Sequence, residues 1–549
     1  MSAGIPVSAD PRTPTESALE SFIHDHVAEI APLMRASNHA SWRANLTGES
    51  SDLGESARLE AAVRLVYARR EPLEWLRALD RSAIRDPLLR RQLEVLILAY
   101  RAQQIPPATL ERLVRMEKSL EGRFNSFRAN FGGREVSDND LRQVLRTSHD
   151  SGERREAWEA SKQVGAEVRD ELLELVRLRN SAAREQGFDN YYSMRLELDE
   201  LDQVELFAML DRLARDTGPA FAAYRRELDG TLAGRFAISA GRVRPWHFAD
   251  PFFQEAPDPR LDLDHWFEGR DLEEIARRFF GQIGFEVAEI LARSDLYERG
   301  GKCPHAFCMT MDRGPDIRVL CNLRPGERWM GTLLHELGHA VYDLHIDPEL
   351  PFLLRTHAHI LTTEASAMLL GRLSRNAAWL ERYAGVPAEV ARSIRVESQR
   401  ATRHQLLVQI RWNLVMCEME RSLYRDPEQD LNTRWWDLVE HFQQVTRPEE
   451  RNAPDWASKI HFSVAPVYYQ NYLLGELMAS QLQRALLGEF GGADPWSQYL
   501  SSPRTGAWLR DRLYASGRRY DWRETVRRAT GEAFGPAAMI ADLAPLPGS

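Results

Sequence analysis

Residues 330–344 read Met-Gly-Thr-Leu-Leu-His-Glu-Leu-Gly-His-Ala-Val-Tyr-Asp-Leu, and this stretch determines how the rest of the chain is interpreted. His335 and His339 are four residues apart, so both imidazoles lie on one face of a helix and can reach one ion. Glu336 between them is a candidate general base for water that the ion activates. The surrounding apolar residues predict a buried helix that would hold such ligands rigidly. The alternative is a helix with two core histidines and no metal.

A catalytic zinc ion keeps one position for water, so a third protein ligand is required. Glu364 lies 29 residues after His335, alone in the apolar segment 361–370, and burial of a carboxylate there is costly unless it is paired or metal-bound. His345 has the spacing of a metzincin third histidine, but Tyr342 stands where that motif needs glycine. The predicted zinc ligands are His335, His339 and Glu364, with His345, His357 and His359 as alternatives.

Most of the remaining sequence has the periodicity of helices. Apolar residues recur at three- and four-residue steps from Leu19 onward, and Ser17 with Glu20 has the spacing of a capping box. Residues 1–16 are predicted to be a disordered tail. Further helices are predicted over 56–69, 72–80, 86–103, 107–121, 138–147, 152–186, 203–229, 328–344, 358–375, 387–425, 433–445, 466–486 and 507–517.

One segment departs from the helical pattern just before residues 330–344. His305–Met311 and Ile317–Asn322 are predicted to be short strands around a turn at 312–316. The loop-like stretch 243–265 is rich in aromatic residues and proline, and its cluster Trp246–Phe253 is expected to pack around a cleft. The predicted fold class is therefore mostly α, with one small β-hairpin next to the metal-binding helix.

Composition excludes several classes of protein. Of 549 residues, 43% are hydrophobic and 28% charged, which is typical of a globular protein and not of a fibrous, disordered or membrane-spanning one. A net charge of −10 lacks the excess of positive charge that is typical of nucleic-acid-binding proteins. Four cysteines cannot form a disulfide framework, and the first residues do not resemble a secretory signal, so we expect a cytoplasmic protein. We also expect a monomer.

The segment from His335 to Tyr342, followed by Glu364, resembles the helical gluzincin peptidases. These are the peptidyl-dipeptidase A (angiotensin-converting enzyme) family and the related thimet oligopeptidase and oligopeptidase F family. The resemblance implies a single domain over 17–549, a two-lobed ellipsoid of two interleaved halves around a deep cleft, with the zinc and catalytic core at about 300–480. It implies a zinc metallopeptidase that acts on oligopeptides and releases C-terminal dipeptides. An oligoendopeptidase and an inactive peptide-binding relative are the alternatives.

A second segment, 459–472, carries the same resemblance. In the converting-enzyme family a similar histidine and final tyrosine stabilise the oxyanion, while a lysine and first tyrosine hold the C-terminal carboxylate of the substrate. Carried over, these roles fall on His461 and Tyr472, and on Lys459 and Tyr469. The spacing is one residue longer here, so Tyr468 is an alternative to Tyr469. Lysine is also rare: the chain has four lysines among its 71 basic residues, which makes a lysine at this position informative.

A third segment, Cys303-Pro-His305-Ala306, is similar to a family strand that pairs with the peptide, which implies that His305 and Ala306 contact substrate. Cys321 stands where secreted relatives close a disulfide with the first cysteine, and we expect this pair to be reduced. Two positions depart from converting enzyme. Gln470-Asn471 replaces an arginine that binds chloride, and Met368 replaces an acidic residue that supports the glutamate ligand.

Overall fold

The computed structural model describes residues 12–257, 261–492 and 494–544, and its regular structure is nearly all helical. The longest helices have 34, 34 and 38 residues. The α-helices of the described residues are α1 (Pro14–Thr47), α2 (Ser50–Tyr67), α3 (Arg70–Ala78), α4 (Pro87–Ala102), α5 (Pro107–Ser126), α6 (Asp138–Thr147), α7 (Ser151–Ser161), α8 (Gln163–Glu185), α9 (Tyr191–Leu198), α10 (Gln203–Phe236), α11 (Leu272–Gln282), α12 (Ala288–Arg293), α13 (Glu327–Leu344), α14 (Ile360–Gly371), α15 (Ala377–Tyr383), α16 (Ala388–Arg425), α17 (Leu431–Leu438), α18 (His461–Val464), α19 (Tyr469–Phe490), α20 (Pro495–Ser501), α21 (Pro503–Leu509), α22 (Trp522–Thr530) and α23 (Ala537–Asp542). The mostly α fold class is confirmed.

Two antiparallel hairpins are the β structure of the described residues. The predicted hairpin is present but shorter, with β3 (Phe307–Thr310) paired with β4 (Ile317–Leu320). A second hairpin, β1 (Ala129–Phe131) with β2 (Arg134–Val136), was not predicted, because strands of three residues are too short to show alternation. Gly132 and Gly133 form its two-residue turn. Both have positive φ, as such turns require.

Several boundaries differ from the prediction for local reasons. Helix α1 begins at Pro14, because the capping box is formed by Thr13 and Glu16 and not by Ser17. The predicted tail therefore extends at most to residue 13, and its residues 1–11 lie outside the described part of the chain. The helix expected over 152–186 is divided into α7 and α8 at Lys162.

Helices α13, α14 and α19 pack closely against one another at glycine residues. A Cβ atom on Gly338 of α13 would lie 2.7 Å from the Cα of Ala367 on α14. A Cβ on Gly475 of α19 would lie 2.7 Å from the Cβ of Glu364. Glycine is therefore required at both contacts, and it brings residues on three helices to one point. No helix in the described ranges is long and apolar enough to cross a membrane.

Candidate active site

Three of the predicted ligand residues converge where α13 and α14 meet. The Nε2 atom of His335 lies 3.7 Å from Oε2 of Glu364, and Nε2 of His339 lies 4.0 Å from the same oxygen. One ligand atom from each residue falls within 4.8 Å of the others. Two histidines one helical turn apart and a carboxylate from the next helix form the nitrogen and oxygen donor set that zinc takes in catalytic sites.

Hydrogen bonds orient two of these side chains and leave their inner atoms free. The Nδ1 atom of His339 and the hydroxyl of Thr363 form a hydrogen bond at 2.7 Å, and in the tautomer in which Nδ1–H donates, Nε2 has a lone pair for a metal ion. The hydroxyl of Tyr468 donates to Oε1 of Glu364 at 2.7 Å. The second oxygen of Glu364 is buried without a hydrogen-bond partner, as expected of an atom reserved for a metal ion. This support for Glu364 comes from a tyrosine and not from position 368, which is methionine.

The electrostatics of the cluster also fit a divalent cation. Desolvation lowers the pKa of His335 to about 4, so that its imidazole is neutral and can ligate. Burial, with the Glu364 carboxylate as a second cause, raises the pKa of Glu336 to about 8. Burial likewise raises the pKa of Glu364 to about 7. Two buried carboxyl groups without a cation resist ionisation, and a dication among them would favour their charged forms.

The alternative third ligands lie outside this group, and two of them are hydrogen-bonded elsewhere. His345 donates from Nδ1 to the carbonyl oxygen of Val341 at 2.8 Å. His359 bonds through both ring nitrogens, to the backbone N–H of Leu361 and to the carbonyl oxygen of Asp199. His357 lies with Nδ1 3.6 Å from the carboxylate of Asp343. These three residues are not members of the metal-ligand group found among the described residues.

The predicted oxyanion residues lie on either side of a turn between α18 and α19. The rings of His461 and Tyr472 have centroids 6.4 Å apart. Tyr472 is half-buried, and burial together with the Glu364 and Glu336 carboxyls raises the pKa of its hydroxyl, which keeps it protonated as a donor. Burial, with Lys459 as a second cause, lowers the pKa of His461 well below its usual value.

The two candidate tyrosines for carboxylate binding occupy different positions. Tyr468 bonds to Glu364, as described above. Tyr469 accepts a hydrogen bond from the indole N–H of Trp412 at 3.2 Å, and its ring centre lies 5.8 Å from the Lys459 ammonium. Of the two, Tyr469 is therefore beside Lys459, and Tyr468 is hydrogen-bonded to Glu364 of the metal-ligand group.

Lys459 is a buried ammonium whose direct contacts are uncharged side chains. Its Nζ donates to Oε1 of Gln254 at 3.0 Å and lies about 5 Å from the ring centres of Phe252 and Trp412. No carboxylate of the described residues forms an ion pair with it. Burial, followed by the charge of Arg142, lowers the pKa of Lys459 to about 7. Gln254 was not among the predicted site residues, although it directly follows the aromatic cluster 246–253 that was expected to pack around a cleft.

His305 and Ala306 immediately precede β3, and β3 is the outer strand of the hairpin, where Asn38 of α1 donates to the carbonyl oxygen of Thr310 at 3.1 Å. Its inner edge pairs with β4, while the far side of β4 forms a bridge between Leu320 and Asp295. No other strand of the described residues covers the outer edge of β3. An extended peptide could add there as a third strand. Cys303 and Cys321 are unpaired, as are the other two cysteines.

A helical fold around a His-Glu-x-x-His helix, with a glutamate on the next helix, is typical of metallopeptidases. The model of peptidase family M3 matches residues 144–545, and the chain belongs to this family. The model described as angiotensin-converting enzyme matches residues 13–232. A curated relative, the inactive angiotensin-converting enzyme-related protein of Caenorhabditis elegans, is 21% identical over 393 residues. That alignment covers 64% of this chain and 43% of the relative, so the chain spans less than half of that protein.

Proposed function

We propose that this protein is a zinc-dependent peptidase that hydrolyses oligopeptides and releases C-terminal dipeptides. The observation that carries the proposal is the convergence of two imidazole nitrogens on the buried, unpartnered oxygen of Glu364. Zinc content, together with peptide cleavage that a chelator abolishes, tests it. The four unpaired cysteines support a cytoplasmic location. A monomeric state is a further part of the proposal.

The proposed chemistry divides among the residues by position. A zinc ion held by His335, His339 and Glu364 would supply the Lewis acidity that activates water and polarises the peptide carbonyl. Glu336 would accept the proton of the attacking water and return it to the leaving amine. Tyr472 and His461 would donate to the developing oxyanion, and each such donor is worth about 3 kcal/mol.

The surroundings of Lys459 support recognition of a C-terminal carboxylate. An ammonium has three N–H donors, and the one hydrogen bond described for Lys459 leads to a neutral amide. A buried charge with such a partner is costly, and a carboxylate would both pair it and use the remaining donors. The side-chain N–H₂ of Gln254 is a further donor beside the same point. Lys459 and Tyr469, with Gln254 added, would therefore anchor the end of the peptide.

Replacement of Lys459 by alanine should erase a preference for peptides with a free C-terminus. The charge-assisted pair is worth about 1.5–3 kcal/mol in a partly dry cleft, which is about a tenfold to hundredfold preference in kcat/KM over the amidated peptide. In Lys459→Ala the free-acid peptide should be cleaved more slowly, and the amidated peptide at nearly the original rate. The measurement is kcat/KM for the two forms of one peptide.

Lys459→Arg and the pH dependence serve as controls. Because the pKa of Lys459 is lowered to about 7, its ammonium loses its proton as the pH rises through 7, and the preference should decline above that pH. Arginine stays charged at these pH values, so the preference of Lys459→Arg for the free-acid peptide should not decline with pH. The planar guanidinium differs in shape from an ammonium, so this variant should not reach the preference of the unmodified protein. Equal cleavage of free and amidated peptides by the unmodified protein would contradict carboxylate recognition.

That last result would favour the second candidate, an oligoendopeptidase, which the match to peptidase family M3 over the zinc-binding segment also supports. A third candidate is a peptide-binding protein without activity; the Caenorhabditis elegans relative is itself named as inactive. Against it, this chain keeps Glu336 between the two histidines and a tyrosine at position 472.

A further inference from the structure

The turn between α18 and α19 contains a backbone conformation that its sequence does not favour. Val467 has φ of +57° and is buried. A β-branched residue in the left-handed region is a genuine outlier, because its Cβ crowds the backbone. Such a conformation persists only where the surrounding structure imposes it, and such sites cluster near functional residues.

Side chains hold both backbone groups of Val467. Its N–H donates to Oε1 of Glu420 at 2.7 Å, and its carbonyl oxygen accepts from Nε2 of Gln470 at 2.6 Å. Glu420 belongs to α16, is 2% exposed and lies 47 residues away in sequence. The bond to Glu420 is therefore the tertiary contact that fixes this turn, while the bond to Gln470 is local.

A second contact anchors the chain just before the turn. Arg179 of α8 has a fully buried side chain and donates to the carbonyl oxygens of Phe462 and Ser463 at 3.0 and 2.6 Å. The same guanidinium is tied to Glu117 at 2.8 Å. The chain around His461 is thus held on one side by Arg179 and on the other by Glu420.

The position of Val467 links this turn to the candidate chemistry. Tyr468 is the next residue, and its hydroxyl bonds to the metal-ligand candidate Glu364 at 2.7 Å. His461 precedes the turn and Tyr472 follows it by one helical turn. A rotation at Val467 from left-handed to ordinary φ would redirect the chain that enters α19 and would displace these side chains relative to one another.

We propose that Glu420 is a positioning residue, which holds Val467 in its left-handed conformation and thereby sets the geometry of His461, Tyr468 and Tyr472. This inference rests on the proposed function. Glu420 does not touch the metal-ligand group and acts through the backbone of Val467. The strain at Val467 is the reason that a buried acceptor from another helix is needed at this point.

Four variants test the inference: Glu420→Ala, Glu420→Gln, Val467→Gly and the double variant Glu420→Ala/Val467→Gly. Loss of the acceptor in Glu420→Ala should lower kcat by about a hundredfold with little change in KM, because a displacement of about 1 Å costs that much. Glu420→Gln keeps an acceptor oxygen and should retain most of the activity. Glycine adopts positive φ without strain, so the double variant should recover much of the kcat lost in Glu420→Ala.

A control separates positioning from loss of stability. Glu16 is also buried and accepts backbone N–H bonds, from Arg85 at 2.6 Å and Asp86 at 3.0 Å, but it caps α1. Glu16→Ala should lower the melting temperature without lowering kcat of the folded protein. A kcat for Glu420→Ala equal to that of the unmodified protein would overturn the inference. A double variant with a lower kcat than Glu420→Ala would also overturn the inference, because it would show that the two substitutions reduce activity independently.

Hydrogen exchange of the metal-free protein gives a readout that needs no activity. Backbone amides of 461–472 should exchange faster in Glu420→Ala than in Glu420→Gln, with other segments unchanged. Equal exchange in the two variants would overturn the inference even if the protein is an active peptidase. Faster exchange in a protein that cleaves no peptide would support the role of Glu420 at Val467 and refute the proposed function alone.

Discussion

Glu336→Gln should lower kcat by about 10²–10⁴-fold, the contribution of a positioned general base, while the protein keeps its zinc. The substitution replaces a carboxyl group by an amide of the same size, so the buried space around residue 336 stays filled. An amide cannot accept the proton of water, and Glu336 is not a member of the metal-ligand group. The measurements are kcat with a peptide substrate and the metal content of the variant.

Glu327→Gln is the matched control, because Glu327 lies on the same helix and is also buried. Its carboxylate accepts from Ser374 at 2.7 Å and pairs with Arg375 at 3.0 Å, away from the ligand group. It should lose some stability and keep its kcat. Near-full hydrolysis by Glu336→Gln would exclude Glu336 as the base.

Glu364→Ala should weaken zinc binding by more than about a hundredfold, because it removes a metal ligand. Loss of a residue that only hydrogen-bonds to a ligand already lowers metal affinity by about 10–100-fold. His345→Ala should leave zinc affinity nearly unchanged, since that imidazole is bonded to the carbonyl of Val341. Competition with a chelator of known affinity measures both. If the two variants behave the other way round, the metzincin-like spacing holds the metal and the assigned ligand set is wrong.

The sequence was sufficient to predict those features that depend on residues close together in the chain. The helix at 327–344, the short hairpin before it and the mostly α class follow from periodicity and spacing within a few tens of residues. Glu364 was singled out by a lone carboxylate in an apolar run, and the structure brings it to His335 and His339. Rare lysine was also a signal, because three of the four lysines, Lys162, Lys302 and Lys459, are buried.

The rest depends on contacts between distant parts of the chain. The support of Glu364 by Tyr468 spans 104 residues, and the contact of Lys459 with Gln254 spans 205. No spacing rule predicts such pairs. Helix α9, Tyr191–Leu198, was missed because it begins with two aromatic residues of low helix propensity and has only eight residues. Its Asn190 cap was the available signal.

Mass spectrometry of the products from a nonapeptide with a free C-terminus tests the central proposal most directly. The protein as purified should carry about one zinc ion per chain and should release a dipeptide and a heptapeptide as first products. Phenanthroline should abolish this cleavage, and added zinc should restore it. An intact nonapeptide after incubation with the zinc-loaded protein would contradict the proposed peptidase activity.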